Sequence, residues 1–537
     1  MRENRSGYVK NLLLPCVAFS ALVGMLTAVV VFIFKILSYS VIGLSELLYG
    51  YVREHPVWLP AVLVGAALIG VIAWLLLRGD SDCRGGGIPT AVAALRGFTP
   101  LKWVKSAFLM PLSALMTFFV GVPLGNEGPC VQMGTALGQG TVRMFGGKRH
   151  QAWRRYIMTG GACAGFANAT GAPVTGILFA VEEAHRRFSP MLFMVASISV
   201  VVGQVTTEVL AALTGVDPSL FHFRVDGEFS LKYFWMPIIV GLMCGIIAIF
   251  FTRAYRFCSK LVKNVLGKVP FIVKIIAVFV ITAVVGFFSA DSIGSGHSLV
   301  DVLIEGGGVW YFLVICFLVR ALMIMLANNT GVTGGLFVPT LTFGAIIGAL
   351  CGKALVSLEL IGDAQYEIIV VIGMVSFLAA ASRTPITAVV FAAEVLCGFA
   401  HILPVAIGVA VAYMVIEVVG IESFNDTVIE SKIDTAHNGK KPVIFDVYLT
   451  VQPHSFVVEK EIRDVLWPPT CAVLGVEKNT DAKTKVGIAE GDVLHVHYQS
   501  YSPHATFDEL ESLVGRQSDD VRLNIHTHGK NHQVPEI

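Results

Sequence analysis

The stretch GVPLGNEGPCVQMGTALG, residues 121–138, places one carboxylate, Glu127, among glycines and prolines inside a largely uncharged region. A charged side chain at membrane depth costs a few kcal/mol or more, so it faces a cavity, a pathway or a partner rather than lipid. Gly125 and Gly128 let backbone come close to a ligand, and Pro129 suits a first helical turn, where its missing N–H would be unpaired anyway. The stretch therefore predicts a non-helical approach to a helix starting near Pro129, with unpaired amides and the positive helix end aimed at one point. Such a point attracts an anion. The alternative is a kink between membrane helices, with Glu127 paired to a cation elsewhere in the bundle.

A second copy favours the first reading. Residues 331–348, GVTGGLFVPTLTFGAIIG, align without a gap at a shift of 210, matching Gly121, Val122, Gly125, Pro129, Gly134 and Gly138 to Gly331, Val332, Gly335, Pro339, Gly344 and Gly348. APVTGILFAVE (172–182) meets TPITAVVFAAE (384–394) at a shift of 212, and Gly85-Gly86-Gly87 meets Gly294-Ser295-Gly296 at 209. Duplicated segments broken by glycine and proline point to a transporter whose site lies where half-helices of two repeats meet. The sequence alone leaves open whether the copies are parallel or inverted.

With 55% hydrophobic and 14% charged residues and a mean hydropathy of +0.72, a soluble enzyme is excluded and a polytopic membrane protein is expected. The net charge of +1 gives nucleic-acid binding no support. No nucleophile–base set sits beside a soluble pocket, so no enzyme activity and no cofactor are expected. The ten cysteines are scattered, without CxxC spacing, and read as small core residues.

Spans of about 20 apolar residues cross a bilayer. They lie near 12–37, 57–77, 104–120, 191–213, 235–258, 271–289, 309–327 and 366–381. Shorter broken pieces fall at 87–96, 129–145, 156–167, 173–185, 335–356, 385–400 and 402–420, and read as tilted or half-spanning helices. The first run is too long for a signal-peptide core and reads as a retained helix. After about Ser431 the chain turns polar, with alternating runs at 447–451 and 492–498 and a helical pattern at 504–515, the mark of a small α+β domain. His495 and His497 share a strand face, and His526, His528 and His532 lie in the tail; with no acidic or thiol partner at recognisable spacing, no metal site is expected.

Three motifs in order resemble the CLC family of anion channels and transporters: Gly85-Gly86-Gly87-Ile88-Pro89, Gly125-Asn126-Glu127-Gly128-Pro129 and Gly335-Leu336-Phe337-Val338-Pro339. The resemblance covers roughly residues 10–430. It implies a homodimer in the cell membrane, each subunit an all-α CLC fold of two inverted repeats (roughly 50–215 and 230–420) with its own anion pathway. The membrane domain then spans 1–431. It implies a gating role for Glu127, whose carboxylate competes with the anion and leaves when protonated, and an inner proton-passing role for Glu183, with Glu182 open as a one-residue shift of register. Anion contacts are implied at Gly86, Gly87, Ile88, Asn126, Gly128, Leu336, Phe337 and Val338, with Asn425 in place of a tyrosine.

Gly86 stands where the family has serine and Asn126 where it has a basic residue, the latter resembling the fluoride/proton branch. Thr333 reads as a hydroxyl donor to the anion or as a helix cap. Residues 432–537 resemble a TrkA-C (RCK-C) domain, which implies a cytoplasmic regulatory module with room for a small ligand. The expected function is a chloride (halide)/proton antiporter, with a fluoride/proton antiporter and a passive chloride channel as alternatives.

Overall fold

In a bilayer the backbone must satisfy its own hydrogen bonds, so the apolar runs fold as helices and their Gly/Pro breaks become helix ends. The computed structural model describes residues 14–79, 83–146, 148–225, 229–362, 365–437, 442–468, 470–479 and 487–518. The first half of the membrane domain contains α1 (Leu14–Glu54), α2 (Leu59–Leu77), α3 (Gly87–Leu95), α4 (Trp103–Val120), α5 (Glu127–Thr141), α6 (Arg154–Thr170), α7 (Pro173–Phe179, widened into a π turn over Ala180–Ala184) and α8 (Pro190–Thr214). The second contains α9 (Trp235–Leu266), α10 (Phe271–Phe288), α11 (His297–Ile304), α12 (Trp310–Thr330), α13 (Phe337–Ser357), α14 (Tyr366–Ser382), α15 (Pro385–Phe391, widened over Ala392–Leu396) and α16 (Ile402–Val419). A last membrane-domain helix, α17 (Phe424–His437), follows.

Among the described residues, nine helices are long and apolar enough to cross a membrane. The pieces α3, α7, α11 and α15 have 9, 7, 8 and 7 residues and are half-spanning at most. Three expectations change. α1 does not stop near residue 37 but runs to Glu54, because Ser38, Ser45 and Tyr49 on its later turns are buried against protein. The short helix α11 was not foreseen. α17 carries the chain past Ser431 to His437 before the first strand begins.

The two copies pack alike. Gly134 of α5 lies against Gly161 of α6, and the equivalent Gly344 of α13 lies against Gly373 of α14; a Cβ at any of the four would run into the facing carbonyl. Small residues let helix backbones approach where lipid supplies no hydrophobic drive.

The C-terminal unit is a three-stranded antiparallel sheet, order β1-β3-β2, of β1 (Val443–Thr450), β2 (Cys471–Glu477) and β3 (Val493–Ser500), covered by α18 (Pro503–Val514). Burial alternates along β1 and β3, and Phe445, Val447, Leu449, Leu494, Val496, Leu510 and Leu513 form its own core. It seats on the start of α6. Arg155 donates to Trp467 O at 2.9 Å and pairs with Glu509 at 2.7 Å, while Tyr156 Oη accepts from Leu466 N at 2.7 Å and donates to Asp464 O at 3.2 Å.

Candidate functional site: a seam of helix ends

The two repeats meet through glycine backbone. Gly125 N donates to Gly335 O at 2.8 Å and Gly335 N to Gly125 O at 2.6 Å. These residues are mates at the shift of 210, so the bond pair is its own image under the repeat symmetry. A second pair obeys the same rule: Gly85 N donates to Gly331 O at 3.1 Å, and Gly294 N to Gly121 O at 2.7 Å. Gly121 and Gly331 end α4 and α12 in the left-handed region (φ 84° and 88°), which frees the chain to turn back into the seam.

At this seam α3, α5 and α13 all begin. Gly87 touches the Gly128 carbonyl and Gly128 touches Gly335, so closely that a Cβ on Gly87 or Gly128 would collide with backbone. Gly86, Gly87, Ile88, Asn126, Gly128, Leu336, Phe337 and Val338 thereby lie at or next to one crossing of helix starts. First-turn amides have no partner within their own helix, and converging helix N-termini create a positive potential there.

Glu127, the first residue of α5, is fully buried and neither of its carboxylate oxygens has a hydrogen-bond partner. The amides of Glu127 and of Val338, one from each repeat, face it without closing a hydrogen bond. The side chain folds back over Gly125, where any Cβ would strike it. Beside it Asn126 is 3% exposed, and both polar atoms of its amide are unpartnered. Buried polar groups are almost always paired. Two adjacent exceptions at a convergence of helix ends make this seam the candidate site.

Toward the other side lies a cavity of about 30 Å³, lined by Ile88, Glu183, Leu336, Phe337, Thr387 and Asn425 among others. That is room for a water or a small ion. Glu183, in the π turn after α7, accepts 2.6 Å from Asn425 Nδ2. Arg96 holds the turn from behind, donating to Glu183 O at 2.8 Å and Ala184 O at 2.9 Å. Arg96 lies 3.8 Å from Asp426, which pairs with Arg186 at 2.6 Å. Arg96 and Asp426 escaped the sequence reading, since neither belongs to a motif.

Glu182 and Glu183, between which the sequence leaves a choice of register, differ in their bonds. Glu182 accepts from Ile386 N (2.9 Å), Thr387 N (2.7 Å) and Thr387 Oγ1 (2.5 Å), capping α15. Its repeat mate Glu394 accepts from Val174 N (2.8 Å), Thr175 N (2.8 Å) and Thr175 Oγ1 (2.5 Å), capping α7. Each repeat thus caps the other, and Glu182 is spent on structure. The mates of Glu127 and Glu183 are Phe337 and Val395. Structural carboxylates are duplicated here; the two that face cavity or seam are not.

Thr333 fits neither expected role. It is fully buried, donates to Cys83 O at 3.1 Å and lies 3.1 Å from Ser113 Oγ, so its proton is used between the repeats. The cap position of α13 belongs to Leu336. Asn425 is held by Glu183 rather than turned to the seam. On the sheet, strand register supplies the acidic neighbour the sequence did not reveal: Asp446 lies 2.9 Å from His497 and 3.5 Å from His495. The three are not arranged to hold a metal ion, and His526, His528 and His532 fall outside the described residues.

Fold and seam together define a membrane protein of two repeats whose helix starts converge on a buried carboxylate. The family model described as voltage gated chloride channel matches residues 65–417, and the chain belongs to that family. Solved structures agree. One described as a slow cyanobacterial Cl−/H+ antiporter superposes with a TM-score of 0.69 at 24% identity, covering 78% of this chain and 98% of that one. A eukaryotic CLC transporter gives 0.64 at 20% identity, over 78% of this chain and 74% of that one. A CLC-type fluoride/proton antiporter gives 0.60 at 17% identity, over 75% of this chain and 95% of that one.

Proposed function

We propose that this CLC transporter is a proton-coupled anion antiporter with chloride or another halide as substrate, gated by Glu127. The observation that carries the reading is the buried, unbonded Glu127 carboxylate facing amides of both repeats. An ionised carboxylate there imitates the transported anion; a protonated one has no claim on the amides and yields the place. Anion binding and proton uptake then become linked by competition for one point. Glu183, beside the small cavity and held by Asn425, is the group we assign to pass protons to the other side.

Fluoride is the second reading, and Asn126 favours it: its unpartnered amide offers a compact donor beside Glu127. The chain would work as a homodimer in the cell membrane. Its C-terminal unit would be cytoplasmic and regulatory, as the TrkA-C resemblance suggests.

The test is purified protein in liposomes loaded with chloride or fluoride, with anion efflux and proton uptake followed together. Uphill proton movement driven by an anion gradient is expected, and the better-coupled anion names the substrate. Anion flux without proton movement would reduce the protein to a passive channel and Glu183 to a structural group.

A further inference from the structure

Lys35, midway along α1, interrupts a run otherwise suited to lipid. It does not face lipid. The side chain is buried, 4% exposed, and donates to Ala169 O at 2.9 Å and Pro218 O at 2.5 Å. Both partners are neutral carbonyls, and no carboxylate pairs with it among the described residues. A buried ammonium without a counter-ion is expensive, so its charge must be answered from further off.

The answer lies at the seam. Val31 and Phe34 of α1 share one buried cluster with Cys130 and Met133 of α5 and with Ala169. Lys35 therefore stands against the first turns of the helix that begins with Glu127, and Cys130 and Glu127 of that helix, with exposed Asp217, are the groups that act on its charge. Glu127 has no bonded partner, and neither has the side chain of Asn126 next to it. The motif itself carries no cation at this end, and the one that α1 supplies is left without a bonded anion.

We propose that Lys35 is the fixed positive charge of the outer anion position, supplied from α1 in place of a basic residue at Asn126. It holds the Glu127 carboxylate when that group is ionised and the transported anion when it is not. The proposal rests on the antiporter reading above. A purely structural Lys35 would instead only tie the last turn of α6 to the loop at Pro218.

The experiment compares wild type, Lys35→Arg, Lys35→Gln and Lys35→Met as full-length purified protein. Calorimetric titration with sodium chloride and sodium fluoride is run beside coupled flux in liposomes and thermal unfolding in detergent. Gln keeps a donor for the carbonyls and Met fills the volume; whichever of the two folds carries the test. The neutral variant is expected to bind anion about tenfold more weakly, the effect of one unit charge acting across several ångströms of protein. Lys35→Arg should stay within about threefold of wild type. Wild-type anion affinity in a folded neutral variant would overturn the role of Lys35 alone. Absence of proton-coupled flux in wild type would instead remove the antiporter reading beneath it.

Discussion

Asn425 donates a 2.6 Å hydrogen bond to Glu183, tying the head of α17 to the carboxylate on the wall of the small cavity. One carboxylate oxygen, Oε1, is thereby fixed. On the antiporter reading proposed above, Asn425→Ala should loosen the group assigned to pass protons and leave the Gly125–Gly335 seam untouched. We expect anion flux to stay within about twofold of wild type while protons moved per anion fall by about three- to tenfold, the worth of one charge-assisted hydrogen bond. Unchanged coupling in liposomes would show that the bond only braces α17.

Neighbouring Glu182 and Glu183 should respond in opposite ways. Glu182→Ala strips three hydrogen bonds from the start of α15, and Glu394→Ala does the same to α7. Each should cost about 1–2 kcal/mol, read as an earlier thermal unfolding of the detergent-solubilised protein. Protein that survives should keep its coupling. Glu183→Gln should leave the melting temperature nearly unchanged and abolish proton movement. The reverse pattern would exchange the two roles.

Adjacent glycines of the first motif also separate. A Cβ at Gly86 meets nothing nearer than 3.5 Å, and its φ of −68° suits any L residue. Gly86→Ser should therefore fold normally and place a hydroxyl at the start of α3, changing chloride against fluoride preference by several-fold. Preference identical to wild type would mean that the first motif's side chain takes no part in selection. At Gly87 a Cβ would collide with the Gly128 carbonyl, so Gly87→Ala should cost about 3 kcal/mol or more and appear as aggregate on size exclusion.

In the C-terminal sheet, burial works against ionisation of Asp492, but bonds from Lys478 Nζ (2.8 Å), Ala489 N (2.8 Å) and Asn479 N (3.0 Å) outweigh it and hold the carboxyl below its usual range. The folded pKa is depressed, so the stabilisation is complete above the unfolded value of about 3.9 and is lost as pH falls through the folded one. Thermal unfolding followed by near-UV circular dichroism should show the domain weakening below about pH 4. Asp492→Asn should flatten that dependence and cost about 1–3 kcal/mol at neutral pH; an unaltered acid profile would assign it to other carboxylates.

The seam was legible in sequence because backbone contact leaves a visible trace. Where Gly87, Gly128 and Gly335 touch main chain, only glycine fits, and two of the three, Gly87 and Gly335, have glycine mates in Gly296 and Gly125. The answer to the Glu182 question was also present, since Glu182 has an acidic mate in Glu394 and Glu183 meets Val395. What escaped was set by distant packing. α1 outruns its apolar stretch because protein covers its later turns; the eight residues of α11 hide among polar ones. The bond from Asn425 to Glu183 spans 242 positions and leaves no local signature. Lys35 looked like a blemish in an apolar run because the carbonyls that receive it come from Ala169 and Pro218.

The reciprocal bonds of Gly125 and Gly335 bear on how such a chain is made. Its first half enters the bilayer with the Gly125 edge unpaired, because the backbone that pairs with that edge, at Gly335, lies in the second half. Backbone groups left bare in hydrocarbon are costly, so the newborn half holds a standing debt until the second half inserts beside it. One event then satisfies the edge and assembles the site: until the second half docks, the helix starts that meet at Glu127 are not together.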